Sequence, residues 1–256
     1  DFWKAGDEMG KKPLAALLLG GAAALLAGCS AAPVYSTPSL PSPASSAAGE
    51  GRAPEPAYTV TLSYVTQDKI HIHYPRISGL DDPALEQKIN DLIAQDMWAK
   101  LVEGVAQHYA DEPDILDKLL LDIDYQVTQQ TGDILSIVYR GPGRIEDGMF
   151  ATNTIETTTV DMRTGALMTL EDFVTIDEAL VRRMKQAAVV WHPENADTDH
   201  ERLMEFIRNQ LDDSFIMQGL KEEQPYFSFY VTPDSLWISV PVSHAGGDYA
   251  VVQIAR

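Results

Sequence analysis

His71 and His73 stand two residues apart in a stretch of alternating polarity, so both side chains leave the same face of a strand. That spacing serves a metal ion once a third ligand is supplied. The sequence nominates no third ligand. Because Ile70, Ile72 and Tyr74 claim the opposite, core-facing side, a solvated outer face is the alternative. Asp122 and Asp124 repeat the arrangement opposite Leu121, Ile123 and Tyr125. Paired carboxylates run glycoside hydrolysis, yet any exposed strand face produces the same pattern. Trp191-His192-Pro193-Glu194, with His200 beyond it, offers acid and base groups in a stretch rich in Asn, Asp and Pro, which also reads as a connecting loop. Gly141-Pro142-Gly143-Arg144 lacks the Gly-Lys-Ser/Thr ending of a phosphate loop and reads as a turn carrying an exposed Arg. The hydroxyl-rich run from Thr152 to Thr159 suits hydrogen bonds to sugar hydroxyls, or simply a wet strand face, where Thr is favoured. No Gly-x-Ser-x-Gly elbow is present, no Ser and His spacing names a triad, and no motif nominates a cofactor or a metal.

The elements that would position these groups follow from hydrophobic periodicity. Tyr58, Val60, Leu62 and Tyr64 alternate with Thr59, Thr61 and Ser63, which predicts a half-buried strand with those four residues on the core side. Ile70, Ile72 and Tyr74 repeat the pattern after a turn at Gln67-Asp68, making a hairpin. Asp81-Asp82-Pro83 then opens a helix, with an acidic cap and a proline at its start. Leu85, Ile89, Leu92, Ile93, Met97, Leu101, Val102 and Val105 keep helical spacing, so one long amphipathic helix is expected. Strands are expected over 121–129, 134–140 and 150–162, with turns at Thr131-Gly132-Asp133 and Arg163-Thr164-Gly165. Helices follow near 176–190 and 199–213, and strands close the chain at 226–231, 236–242 and 249–254. Strands, then helices, then strands joined by short turns predict an α+β fold: an antiparallel β-sheet with one long N-terminal helix and two further helices packed on it.

The chain has 256 residues, 45% of them hydrophobic, which is the composition of a globular protein. Its formal net charge of -19, with no Lys/Arg cluster in the sequence, argues against nucleic-acid binding, which needs a basic patch, and the same deficit of Lys and Arg argues against adhesion to anionic lipid. One Cys excludes a disulfide framework and a Cys-rich zinc site. That Cys lies at a telling place. Lys11 and Lys12 precede an uncharged run over 13–28, too short for a stable bilayer span and suited to a secretory signal. The run ends in Leu26-Ala27-Gly28-Cys29, which resembles the lipobox of bacterial lipoproteins, so Cys29 is expected to carry lipid and become the mature N-terminus. Residues 1–8, with Asp7 and Glu8, do not suit a signal and read as a mis-set start. Residues 30–57 hold seven Ala, six Pro, six Ser and two Gly, the composition of an extended tether.

Several segments of the folded part, taken together, resemble a family of extracytoplasmic bacterial domains. Tyr74-Pro75-Arg76-Ile77-Ser78-Gly79-Leu80 and Leu85-Glu86-Gln87-Lys88-Ile89-Asn90 look like its strand end and first helix. Thr159-Val160-Asp161-Met162-Arg163-Thr164-Gly165 through Leu170-Glu171-Asp172-Phe173 is similar to its Asp-x-x-Thr-Gly turn and the segment after it. Phe229 to Leu236, Val240-Pro241 and Gly246-Gly247 are similar to its closing strands. The family occurs in the outer half of the lysozyme-sensing anti-sigma factor RsiV and in the non-catalytic part of the peptidoglycan deacetylase PdaC. Two positions depart from its pattern. Gly148-Met149-Phe150 replaces a Gly-Ala-His segment, and Val242 replaces an aromatic after Pro241.

The resulting expectation is a signal peptide over 1–28, a lipidated Cys29 with its tether over 29–57, and one α+β unit whose halves span 58–165 and 166–256. The resemblance implies a non-enzymatic binding module of the cell envelope, anchored to the membrane through lipid on Cys29 and recognising lysozyme or peptidoglycan. Loops 141–149 and 243–248 are expected to project beyond the strands because of their Gly and Pro content. They nominate Arg144, His244, Asp248 and Tyr249 as ligand contacts. The rival expectations are an accessory lipoprotein supporting wall enzymes, and an envelope hydrolase or deacetylase. Oligomeric state and the membrane concerned stay open.

Overall fold

The alternating segments pair into two sheets, and the computed structural model describes them over residues 58–148, 150–187, 189–191 and 200–256, with the side chains of Val190, Trp191 and His200 outside that description. The signal, Cys29 and tether assigned from sequence, and the His192–Glu194 group, also lie outside the described residues. The fold is mixed α+β with predominantly antiparallel pairing.

The first sheet holds six strands in chain order: β1 (Thr59–Gln67), β2 (Ile70–Ser78), β3 (Leu119–Gln130), β4 (Ile134–Ile145), β5 (Thr152–Asp161) and β6 (Ala166–Leu167). One pair departs from the expected antiparallel sheet. β2 and β3 run parallel, pairing Ile70 with Leu121 and Ile72 with Ile123. Parallel neighbours require a crossover, and the helical stretch between these strands supplies it. Asp82 caps α1 (Pro83–Trp98) by accepting from the amides of Ala84 and Leu85 at 2.9 and 3.2 Å. The stretch expected as one α-helix is broken by a π turn over Ala99–Glu103, which buries both Leu101 and Val102, before α2 (Gly104–His108). A short α3 (Ile115–Lys118) leads into β3.

α1 lays Ile89, Ile93 and Met97 on Ile70, Ile72, Ile123, Ile137 and Val160 of the sheet. Buried Asn90 pins the end of β2 from the helix side. Its Oδ1 accepts from the Ile77 amide at 2.8 Å and its Nδ2 donates to the Ile77 carbonyl at 3.0 Å. The turn between β5 and β6 also sits under α1. Gly165 there has φ +61, and a Cβ would meet Leu85 at 3.0 Å and Ile89 at 3.2 Å.

β1 corrects the sequence reading. Val60 and Val65 face the first core, while Leu62 and Tyr64 are 60% and 69% exposed. The strand changes face midway, and its partner β2 does the same, with Ile72 and then Pro75 and Ile77 buried. The pairing register stays constant through the change, and exposed Tyr64 stands opposite exposed His73, whereas Leu62 is exposed although its partner Pro75 is buried.

The second sheet has the order β7 (Val189–Trp191), β10 (Tyr249–Ala255), β9 (Ser235–Pro241), β8 (Phe229–Val231). Its strands divide their residues between two faces. Ala250, Val252, Ile254, Ile238 and Val240 meet α4 (Glu178–Gln186), α5 (His200–Asn209) and α6 (Asp213–Lys221) in one core. Tyr249, Val251 and Tyr230 meet Val138 and Ile155 of the first sheet in another. Among the described residues the later helices are therefore three, and they pack on a second sheet of their own. The region expected as one helix over 199–213 stops at Asn209. Asp212 is extended and caps a new helix through the amides of Ser214 and Phe215, at 2.8 and 3.3 Å. Among the described residues no helix is long and apolar enough to cross a membrane.

Candidate functional site

The connection between β9 and β10 builds a polar corner. Val242 donates its amide to the Asp248 carbonyl at 2.9 Å, closing the turn, and Ser243 caps a 3-10 turn over His244–Gly246. Gly247 and Asp248 both take positive φ, +92 and +72. A non-glycine residue in that region costs free energy unless its surroundings use the geometry. Here they do. The Asp248 side chain, 8% exposed, places Oδ1 2.8 Å from His244 Nδ1. Its Oδ2 accepts from the Asn153 amide at 2.8 Å and from Asn153 Nδ2 at 3.2 Å. A carboxylate can only accept, so the His244 Nδ1 carries the proton in this contact. The imidazole is 48% exposed, and the Phe150 ring lies 5.1 Å from it, tilted by 40° and 61% exposed itself. The corner thus presents an aromatic ring beside an imidazole, and the imidazole is held on a buried carboxylate. It can bind a partner through stacking and a hydrogen bond.

Of the four contacts nominated from sequence, His244 and Asp248 come together here. Tyr249 does not reach the surface. It is 1% exposed, its ring stacks on Tyr226 at 6.5 Å, and burial pushes its hydroxyl well above the ordinary tyrosine range. Arg144 is exposed on β4 opposite Leu120, with its charge near Glu146. Segment 141–145 is strand rather than projecting loop, since Gly141, Pro142 and Gly143 pair with Thr154, Asn153 and Thr152. The glycine there serves a close approach: a Cβ on Gly141 would stand 2.0 Å from the Asp122 carbonyl oxygen. Sequence reasoning missed Phe150 and Asn153. Asn153 meets Asp248 across 95 residues, which no local pattern signals.

The other sequence candidates do not assemble a reactive centre. His73 Nδ1 lies 3.6 Å from Asp124 Oδ1, both exposed, and His71 pairs with Asp122 on the neighbouring rung. Among the described residues no three His, Cys, Asp or Glu side chains converge as metal ligands. The Thr-rich strand is a wet face only at its start, where Thr152 is exposed, since Thr157, Thr158 and Thr159 are buried. Thr159 and Ser136 share a hydrogen bond at 3.1 Å, and Ser136 Oγ accepts from the Val231 amide at 3.1 Å, tying the first sheet to the second.

A second polar group went unforeseen. Thr158 donates to Asp96 Oδ2 at 2.6 Å. Lys100 reaches the same carboxylate at 3.0 Å and the Thr157 carbonyl at 2.7 Å. Next along β5, Glu156 accepts from Ser228 Oγ at 3.1 Å. Burial, opposed by Lys100 and the Ser228 hydrogen bond and reinforced by Asp96 and Glu223, pushes the Glu156 carboxyl up to about 7. These groups join the end of α1 to β5 and to the segment entering β8.

No protein-family model matches the chain, and no curated protein matches it. Among solved structures the chain is similar to a DUF3298 family member from Bacteroides fragilis NCTC 9343, at 12% identity and a TM-score of 0.43, covering 77% of this chain and 89% of that one. It is also similar to a DUF3298 family protein from Pseudomonas aeruginosa PAO1, at 10% identity and a TM-score of 0.42, with the same coverage of both chains.

Proposed function

We propose that this protein is a lipid-anchored binding module of the bacterial envelope, which recognises a wall-associated ligand, lysozyme or peptidoglycan, through the Phe150–His244 corner. It acts by binding, without chemistry of its own. Lipid on Cys29 holds it at the membrane and the Pro-rich segment sets its reach. One juxtaposition carries the reading: segments distant in sequence meet where Asn153 grips Asp248, and Phe150 and His244 stand exposed side by side. Such a face offers stacking area and an imidazole for a hydrogen bond. The resemblance to the RsiV and PdaC domain family supports the ligand class. The net charge of -19 supports encounter with a cationic protein such as lysozyme.

The test is a calorimetric titration of lysozyme into the mature chain held in detergent. It is repeated at several-fold higher salt and with a second basic protein, and solubilised peptidoglycan is titrated in parallel. A one-to-one complex with lysozyme that survives salt and excludes the control supports lysozyme as ligand, because salt removes simple charge attraction. Saturable heat with peptidoglycan alone selects the glycan. Absence of saturable binding to either would refute the reading and favour an accessory scaffold.

A further inference from the structure

The segment that enters β8, residues 222–228, is held in a conformation its residues do not favour. Glu223 and Tyr226 both take positive φ, +48 and +68, without being glycine. Such backbone persists only where the surroundings over-determine it. Contacts to β9, β10 and β5 do so here. Ser239 Oγ on β9 donates to the Tyr226 carbonyl at 2.7 Å and accepts from the Ser228 amide at 2.9 Å. The Tyr226 ring stacks on Tyr249 of β10. Ser228 Oγ donates to Glu156 Oε2 on β5 at 3.1 Å. Of these contacts, only the last involves a group that exchanges a proton near neutral pH, since burial raises both tyrosine hydroxyls far above it.

Glu156 has charged neighbours on both sides. Among the described residues, α1 and the π turn after it bring Asp96 and Lys100, and the segment brings Glu223 and Tyr226. On β4, Tyr139 stands opposite Glu156 in the ladder. Lys100 is engaged by Asp96 at 3.0 Å and by the Thr157 carbonyl at 2.7 Å, so it opposes a charge on Glu156 only in part. Ionising Glu156 strengthens the bond from Ser228. Burial is the larger effect, and Asp96 and Glu223 add repulsion to it. Water reaches the new charge only if one side gives way. α1 is fixed by Ile89, Ile93 and Met97 in the first core. The segment is not: Glu223 and Pro225 are exposed, and its opening relaxes two strained residues and carries Glu223 away. We propose that Glu156 is a proton-operated latch: protonated, it keeps segment 222–228 closed on β5, and ionised, it lets that segment open while the rest of the fold stays intact. The latch works independently of the Phe150–His244 corner and of any ligand.

The test is amide hydrogen exchange of the full chain and of Glu156→Gln at about pH 5 and about pH 8.5, with rates corrected for the intrinsic effect of pH. The amides of Gln224 and Phe227, bonded to the carbonyls of Gly219 and Gln224, report on the segment. The amides of β4 report on the whole fold. In the parent, protection of Gln224 and Phe227 should fall about tenfold or more at the higher pH, to a level about tenfold or more below that of β4. Glu156→Gln keeps an acceptor for Ser228 and loses the titration, so its protection should not change with pH. Ser228→Ala cuts the tie and keeps the titration, so the two amides should be less protected already at about pH 5. Circular dichroism confirms that both variants fold. Protection of the segment equal to that of β4 at the higher pH overturns the proposal, because the segment would then open only with the whole fold. So does protection in the parent that does not change with pH. A fall of the same size in Glu156→Gln overturns it by assigning the titration to another group. Unchanged protection in Ser228→Ala overturns it by showing that the contact with Glu156 does not hold the segment.

Discussion

Glu156 makes the stability of this fold depend on pH in a direction opposite to that of most carboxylates. Its carboxyl titrates near 7 in the folded protein against an ordinary value of 4.5, chiefly because burial disfavours the charge, with Asp96 and Glu223 adding repulsion. Lys100 and the Ser228 hydroxyl offset only part of this. The folded state therefore holds the proton more tightly than the unfolded chain. The stability tied to that proton is fully present below about pH 4.5 and is lost as pH rises through about 7. At about 1.4 kcal/mol per pKa unit the unscreened loss would be about 3.5 kcal/mol. Glu156 keeps some contact with solvent, which screens the charge, so about 2 kcal/mol is expected. Glu156→Gln keeps an acceptor for Ser228 and removes the titration. Urea unfolding of parent and variant between about pH 4.5 and 8 measures the effect as the difference in unfolding free energy. The variant should gain about 2 kcal/mol relative to the parent across that range. A difference that stays constant with pH would refute the assignment of a costly buried charge to this position.

Two further substitutions test the packing that positions the site. Asn90→Ala leaves the buried amide and carbonyl of Ile77 without their side-chain partner and should cost about 2–3 kcal/mol, read from the urea midpoint. Gly219→Ala sets a methyl 2.2 Å from the Phe227 ring, which is buried against Phe215. It should destabilise the protein by about 1–3 kcal/mol despite the better helix propensity of Ala, with a change in the near-ultraviolet aromatic signal.

Local chemistry made much of the architecture legible. The cap at Asp82-Pro83 and the turn glycine at Gly165 mark elements that the structure contains, because a cap or a positive φ is decided within a few residues. What escaped depended on distant chain. Period-two alternation assigns Leu62 and Tyr64 to the core, but both are exposed, Tyr64 opposite the equally exposed His73 where the two strands change face. Thr157 and Thr159 read as a wet face until a second sheet covers them, a tertiary fact that strand propensity does not carry. The site divides along the same line. His244 and Asp248 are four residues apart and fall in one nominated loop, whereas Asn153 and Phe150 join them only through long-range contact. Glu156 looks like any strand acid beside threonines. Its raised proton affinity comes from burial, to which Asp96 and Glu223 add, while Lys100 and the Ser228 hydrogen bond oppose it.

The most direct measurement of the central claim is the affinity of the Phe150→Ala chain for lysozyme and for solubilised peptidoglycan beside that of the parent. Phe150 is 61% exposed, so its removal should leave the melting temperature within about a degree. If the corner is the recognition surface, binding of the true ligand should weaken about tenfold or more, as it does when an aromatic anchor is removed. Unchanged affinity in a folded variant would contradict the account and place recognition elsewhere on the molecule.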